Sequence, residues 1–204
     1  GRMTTSITLD GVGIHTGASA RVTLSVASTP GIHIHTESGS ITLAPEHVTE
    51  TTRCTVVGNG SVRVSTVEHL SAACTALGVT ALDVNLTGPE LPIGDGASLF
   101  WMNALADLGF VDESPTWYEI PHAIEVPGAN GAFIGIYPAA EPTFTVLVQF
   151  PDAVVGTMAA RWVPRATCFR DTVAPARTFG FRREVDALLA AGLGRGGTLE
   201  NCIV

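Results

Sequence analysis

Positive charge is scarce in this 204-residue chain: Lys and Arg together number 11 against 19 Asp and Glu, for a formal net charge of −8. The basic residues form no patch, and a phosphate backbone is bound by clustered Lys and Arg, so the sequence argues against nucleic acid as a partner. Cysteine is scarce too. Cys54, Cys74, Cys168 and Cys202 are widely spaced and fit neither a disulfide framework nor a zinc knuckle, which suits a reduced, cytoplasmic setting. No apolar run reaches the roughly 18 residues of a membrane helix. The opening "GRMTTSITLD" has one arginine and no apolar stretch of the kind a secretion signal carries. Charged residues make up only 15% and hydrophobic ones 46%, enough for a sizeable core in one large or two small domains.

Apolar and polar residues alternate through the first half, the period of strands. "SITL" and "ARVTLSVA" read as strands, the second with Val22, Leu24 and Val26 on one face. The glycine-rich "DGVGIHTG" between them reads as a tight antiparallel turn, because a strand follows it where a dinucleotide loop would need a helix. "GIHIHTE" sets Ile32 and Ile34 against His33 and His35, and "CTVVG" and "SVRVS" are short strands around a "GNG" turn. A helix in "STVEHLSAACTALG" is followed by a strand in "ALDVNLTG", a loop in "PELPIGDGA" and a second helix in "SLFWMNALADLGF".

The polar, proline-bearing "VDESPTW" reads as a boundary, giving an N-terminal domain over 1–112 and a second over 118–204. In the second, "EIPHAIEV", "GAFIGIYP" and "TFTVLVQF" alternate as strands. "RREVDALLAAG" is an amphipathic helix striped by Val185, Leu188 and Leu189, with Gly192 as its stop. Strands then helices, twice, predicts an α+β fold of two layered domains. "NCIV" reads as the opening of a buried strand, so the second domain is expected to be incomplete at its C-terminal end.

Chemistry concentrates in "STVEHL". Ser65 with Glu68 three residues on has the form of a capping box, which accounts for Glu68 without any catalytic role. The other reading begins at His69, near the positive helix end, with small Ala72, Ala73 and Ala76 as its helical neighbours while Val67, Leu70, Cys74 and Leu77 form the buried stripe. A helix N-terminus disfavours imidazolium, and neutral imidazole is the form that binds metal. Adjacent Glu68 could then take a proton from a metal-bound water. In "ARTFGF", Thr178 could donate to an oxyanion or simply end a strand. Glu90 and Asp95 in "GPELPIGDGAS" read as parts of a rigid connection, with Asp95 fixing the turn. His33 and His35 read as a half-solvated face, and His15, His47 and His122 as isolated surface or core residues.

"GVGIHTG", "TETTRCT", "VRVSTVEHLSAA", "PELPIGDGAS", "ARTFGF" and "GLGRGGTLENCIV", in this order, resemble the LpxC family of zinc-dependent UDP-3-O-acyl-N-acetylglucosamine deacetylases of lipid A biosynthesis. The resemblance implies an LpxC-like α+β sandwich and a hydrolase that uses Zn2+ and a glutamate to drive water onto the acetamide of an acylated UDP-sugar, with release of acetate. It makes His69 a zinc ligand, Glu68 the general base and Thr178 the oxyanion donor. Cys54 would line the way in, Phe179 and Phe181 would touch substrate, and Val185, Gly194 and Thr198 would fall in the insert that makes the acyl-chain passage. That chain opens the way to a peripheral contact with a membrane. The sequence departs from the family in three places: the proline usual before the Phe of "DGASLFW" is missing, and so are the later HKxxD and GH segments that supply further metal ligands and a catalytic histidine. An inactive homologue that binds an acyl-sugar nucleotide or a protein partner is the alternative expectation.

Overall fold

The computed structural model describes residues 5–152, 154–164 and 166–204. Its elements in chain order are strands β1 (Ser6–Val12), β2 (Ser19–Val26), β3 (Gly31–Thr36), β4 (Gly39–Thr42), β5 (Val48–Glu50), β6 (Val56–Gly58) and β7 (Arg63–Ser65), helix α1 (Glu68–Ala76), strand β8 (Ala81–Thr87) and helix α2 (Ser98–Asp107). After these come β9 (Ile124–Pro127), β10 (Phe133–Ile136), β11 (Phe144–Gln149) and β12 (Thr157–Trp162), then α3 (Phe169–Thr172) and α4 (Val185–Ala190). The class is α+β, as expected.

The chain forms two compact units, one built from the residues up to Pro115 together with Ala174–Val204, the other from Thr116–Val173. The division after the second helix falls at Pro115, and the last thirty or so residues group with the first unit, where local sequence had placed them with the second. Backbone hydrogen bonds hold them there, with Leu99 N–H donating to Ala174 O (3.1 Å), Thr178 N–H to Gly96 O (2.8 Å) and Gly196 N–H to Ile14 O (2.9 Å).

The first unit has a five-stranded sheet in the order β1-β2-β8-β3-β4 and a three-stranded one in the order β5-β6-β7. Register lines up one apolar row across the larger sheet, because Ile7 faces Leu24, Leu24 faces Val84, Val84 faces Ile34 and Ile34 faces Ile41. Leu24, Ile34 and Val84 are wholly buried, as are Leu70 of α1 and Met102 and Leu105 of α2, so one apolar core draws on the sheet and both helices. All pairings in this sheet are antiparallel except that of β3 with β8. Val26, expected on the buried face, is 58% exposed because it ends β2. On the opposite face His35 Nε2 meets Asp83 Oδ1 at 2.9 Å and His33 Nδ1 lies 3.2 Å from Thr42 Oγ1, the half-solvated arrangement expected of these histidines.

The second unit holds the antiparallel hairpins β9–β10 and β11–β12. Trp117, Phe144, Trp162 and Phe169 form its aromatic cluster, each 5.3 to 6.2 Å from the next between ring centroids. Strand β12 has no counterpart in the sequence reading, since "TMAARW" carries too many small residues to show a clear period.

Leu24→Ala empties a fully enclosed site in the centre of the larger sheet. It is expected to cost about 3 kcal/mol in urea unfolding, whereas Val26→Ala at the exposed strand end should cost less than about 0.5 kcal/mol.

Candidate active site

Helix α1 does not begin with a capping box. Ser65 is still in strand β7, paired with Val56, and its hydroxyl points to Pro89 O at 3.5 Å. The chain reverses at Thr66, which takes a left-handed backbone (φ 61°), and the helix starts at Glu68 after Val67. Strand pairing claims Ser65 first, so its hydroxyl never reaches the helix N-terminus. Glu68 is left to accept from Thr55 N–H through Oε2 at 2.9 Å, while Val67 N–H donates to Thr55 O at 3.3 Å. These two bonds pin the start of α1 to the edge of β6. The stripe of Val67, Leu70, Cys74 and Leu77 is buried as predicted, and Ala73 and Ala76 join it.

A left-handed β-branched residue is a real outlier and needs surroundings that enforce it. Here the enforcing group is Glu90, a fully buried carboxylate. Its Oε1 accepts from Thr66 Oγ1 at 2.6 Å and His15 N–H at 3.1 Å; its Oε2 accepts from Thr16 Oγ1 at 2.7 Å and Thr16 N–H at 2.8 Å. Burial pushes the Glu90 pKa upward, but these bonds outweigh it and hold the carboxyl below its ordinary value, so the charge is kept. Gly13 makes room, since any Cβ there would strike the Glu90 carboxylate.

The loop after Glu90 carries the next connection. Asp95 Oδ1 accepts from Ala97 N–H at 3.0 Å, the turn-fixing role expected of it. Gly96 O holds Thr178 N–H, Arg177 Nε donates to Asp95 O at 3.1 Å, and Arg177 also reaches Leu199 O at 2.8 Å. Thr178 O in turn accepts from Ile203 N–H at 3.0 Å. Gly96 sits at φ 86° against the Asn201 backbone, where a side chain would collide.

Half-buried His69 lies among these groups. Burial pushes its imidazole below the ordinary value, against the pull of the Glu68 and Asp95 carboxylates, so the ring is neutral at pH 7.

Beside Thr178 opens a cavity of about 280 Å³ lined by apolar residues for the most part. Phe179, Val185, Gly194 and Thr198 all stand on its wall, as does Thr178. Phe181 packs edge-on against Phe179, 5.8 Å between centroids, and is not on the wall. Cys54 is also off it; the neighbouring Arg53 lines it instead and pairs with Glu184 at 2.8 Å. Half-buried Cys54 has its thiol pushed up by burial, with Thr66 as its hydrogen-bonding neighbour. His15 is on the wall too, and its Nδ1 is buried with no hydrogen-bond partner among the described residues.

The donor set falls short of a zinc site. Among the described residues no three His, Cys, Asp or Glu side chains converge to hold a metal ion, and a catalytic zinc takes about three protein ligands. These segments bring the His69 imidazole beside its chain neighbour Glu68, with Asp95 within electrostatic range but not converging on it.

Residues 2–204 match the family described as LpxC, UDP-3-O-acyl N-acetylglycosamine deacetylase. The UDP-3-O-acyl-N-acetylglucosamine deacetylase of Phenylobacterium zucineum is 42% identical over 95% of this chain and 69% of its own length. The proteins of that name from Helicobacter pylori and Synechocystis are 33% and 34% identical, over 98% and 97% of this chain and 69% and 75% of their own lengths. The chain belongs to the LpxC family.

Within this LpxC chain, sequence motifs pointed to Glu68, His69 and Thr178; the loop of residues 94–96 holds Thr178 through Gly96 O and sets Asp95 within electrostatic range of His69. Arg53 was not singled out, Glu90 was read as part of a rigid connection and His15 as an isolated residue. The signal for His15 and Glu90 was present in "GVGIHTG" and "PELPIGDGAS", but neither shows its partners locally: Glu90 meets groups 24 to 75 positions away.

His69 links folding to pH. Above the unfolded value of about 6.5, folded and unfolded rings are both neutral. As pH falls through it, the unfolded chain binds a proton that the folded one does not, so stability is lost toward the folded value. Metal-free wild-type protein is expected to lose more stability between pH 7 and pH 5 than His69→Gln when both are unfolded in urea, and equal losses would contradict the assignment.

Proposed function

We propose that this protein is a deacetylase that hydrolyses the acetamide of UDP-3-O-acyl-N-acetylglucosamine in lipid A biosynthesis, yielding acetate and the free amino sugar. The supporting observation is the loop of residues 94–96, whose Gly96 carbonyl fixes Thr178 on the rim of an apolar cavity and whose Asp95 lies within electrostatic range of His69.

Each residue then has a part. Glu68 is the general base: Thr55 N–H holds Oε2 and aims the carboxylate, leaving Oε1 to take the proton of the attacking water. The Thr178 hydroxyl donates to the oxyanion that forms on the acetamide oxygen, its backbone held on both sides so that the donor is in place before reaction. The cavity takes the acyl chain, with Phe179 and Val185 as apolar wall and Gly194 and Thr198 as small residues that keep it open. Phe181 braces Phe179, and Cys54 abuts the Thr66 turn. Zinc is the proposed cofactor, with His69 the ligand that these residues contribute. No helix among the described residues is long and apolar enough to cross a membrane, and a cytoplasmic enzyme that meets its lipid substrate at the membrane surface fits that.

A second reading, a homologue that binds acylated nucleotide sugar without turnover, draws on the lack of a three-ligand cluster among the described residues. Two measurements on protein expressed from the complete reading frame separate the two. Glu68→Gln is expected to lower kcat roughly 10²- to 10⁴-fold, with KM moving less than about threefold. Elemental analysis is expected to find zinc in wild-type protein and little in His69→Ala. Zinc-free, inactive wild-type protein that still binds the nucleotide sugar would establish the non-catalytic reading.

A further inference from the structure

Glu90 touches none of the groups given a chemical part above, yet three segments meet on it. We propose that Glu90 is a positioning residue, whose buried carboxylate clamps Thr66 and the β1–β2 turn together and thereby sets where Glu68, His69 and His15 stand. The inference rests on the deacetylase reading for its kinetic consequence and on geometry alone for its structural one.

All four partners of Glu90 are donors: the hydroxyls of Thr66 and Thr16 and the N–H groups of His15 and Thr16. Each carboxylate oxygen accepts from one hydroxyl and one backbone N–H. A glutamine cannot replace it, because either orientation of the amide turns an NH2 group toward a backbone N–H. An apolar residue would orphan four donors in the core. The site therefore requires a carboxylate, and the four donors offset the large cost of enclosing its charge.

What it orients is the backbone at Thr66. Left-handed φ is costly for a β-branched residue, on the order of 1–3 kcal/mol, and the Thr66 hydroxyl bond to Glu90 is the contact that holds it. Two residues later comes Glu68. A relaxation of Thr66 toward an ordinary conformation would swing Val67 off Thr55 O and rotate the first turn of α1, moving the base and His69 together. The same carboxylate fixes His15 on the cavity wall, and the His15 carbonyl accepts at 3.2 Å from the N–H of Arg195, the residue after wall-lining Gly194. A bystander buried charge would stabilise the fold but would not sit at the junction of the base and the cavity.

The test is Glu90→Gln in enzyme expressed from the complete reading frame. We expect kcat to fall roughly 10- to 100-fold with KM within about threefold, and the Val67 amide to exchange with solvent roughly tenfold faster while those of Leu82 and Val84 in β8 keep their rates. A kcat within about threefold of wild type, or a rise in exchange as large in β8 as at Val67, would overturn the proposal. Should Glu90→Gln not fold, Thr66→Val and Thr66→Ser decide: the valine is expected to lose kcat and the serine to recover it, and a fully active Thr66→Val overturns the clamp. Wild-type enzyme without deacetylase activity would sink the functional reading, and the exchange comparison would still judge this one.

Discussion

The geometry of the whole site hangs on one enclosed negative charge. Because Glu90 is stripped of water, its two oxygens must be matched by protein donors, and the donors that match them come from the first hairpin turn and from the turn that opens α1. Satisfying the carboxylate is therefore the same event as bringing those turns together. Gly13 and the left-handed Thr66 are accommodations to it: one removes a side chain from its path, the other bends the backbone to reach it.

Around that junction the chain is held largely by backbone bonds, with Arg177 and the Arg53–Glu184 pair adding side-chain ones. The segment beyond Ala174 is poor in buried side chains and is tied by carbonyls and amides to Gly96, Ile14 and His15. That leaves its own apolar residues, Val185 and Leu188 among them, free to line an empty volume instead of filling a core. A helix as short as α4 is not stable by itself, and here it is anchored at its start by the Arg53–Glu184 pair. The result is an apolar pocket beside a polar, charge-bearing corner, a division suited to a ligand with one greasy and one reactive end.

Much of this was legible where the signal is periodic. The rows of Val22 and Leu24, of Leu82, Val84 and Leu86, and the stripe of α1 follow from alternation and from the helical repeat, and all are buried. Local rules failed where a distant partner overrode them. Ser65 has the sequence of a helix cap but the pairing of a strand. Residues 174–204 follow the second unit in sequence but hydrogen-bond to the first. Glu90 looked like part of a stiff loop, because nothing within ten residues reveals that Thr16 and His15 will close on it. For the candidate site, motif resemblance pointed to Glu68, His69 and Thr178, whereas the anchoring of Thr178 at Gly96 and the place of His15 and Arg53 on the cavity wall follow from long-range pairing that no local motif shows.

The parallel pairing of β3 with β8 has a temporal side. The hairpins β1–β2 and β3–β4 can each close as soon as they leave the ribosome, but nothing joins them until β8 arrives between them, after some forty further residues including α1. Every contact across the middle of the sheet waits for that insertion, and such distant pairings slow folding. Until then both half-sheets show a bare strand edge, β2 on one side and β3 on the other. Nascent chains are thus most prone to pair with one another during that interval, and the charged and histidine-bearing outer face of β3 and β8 is where the sequence resists it.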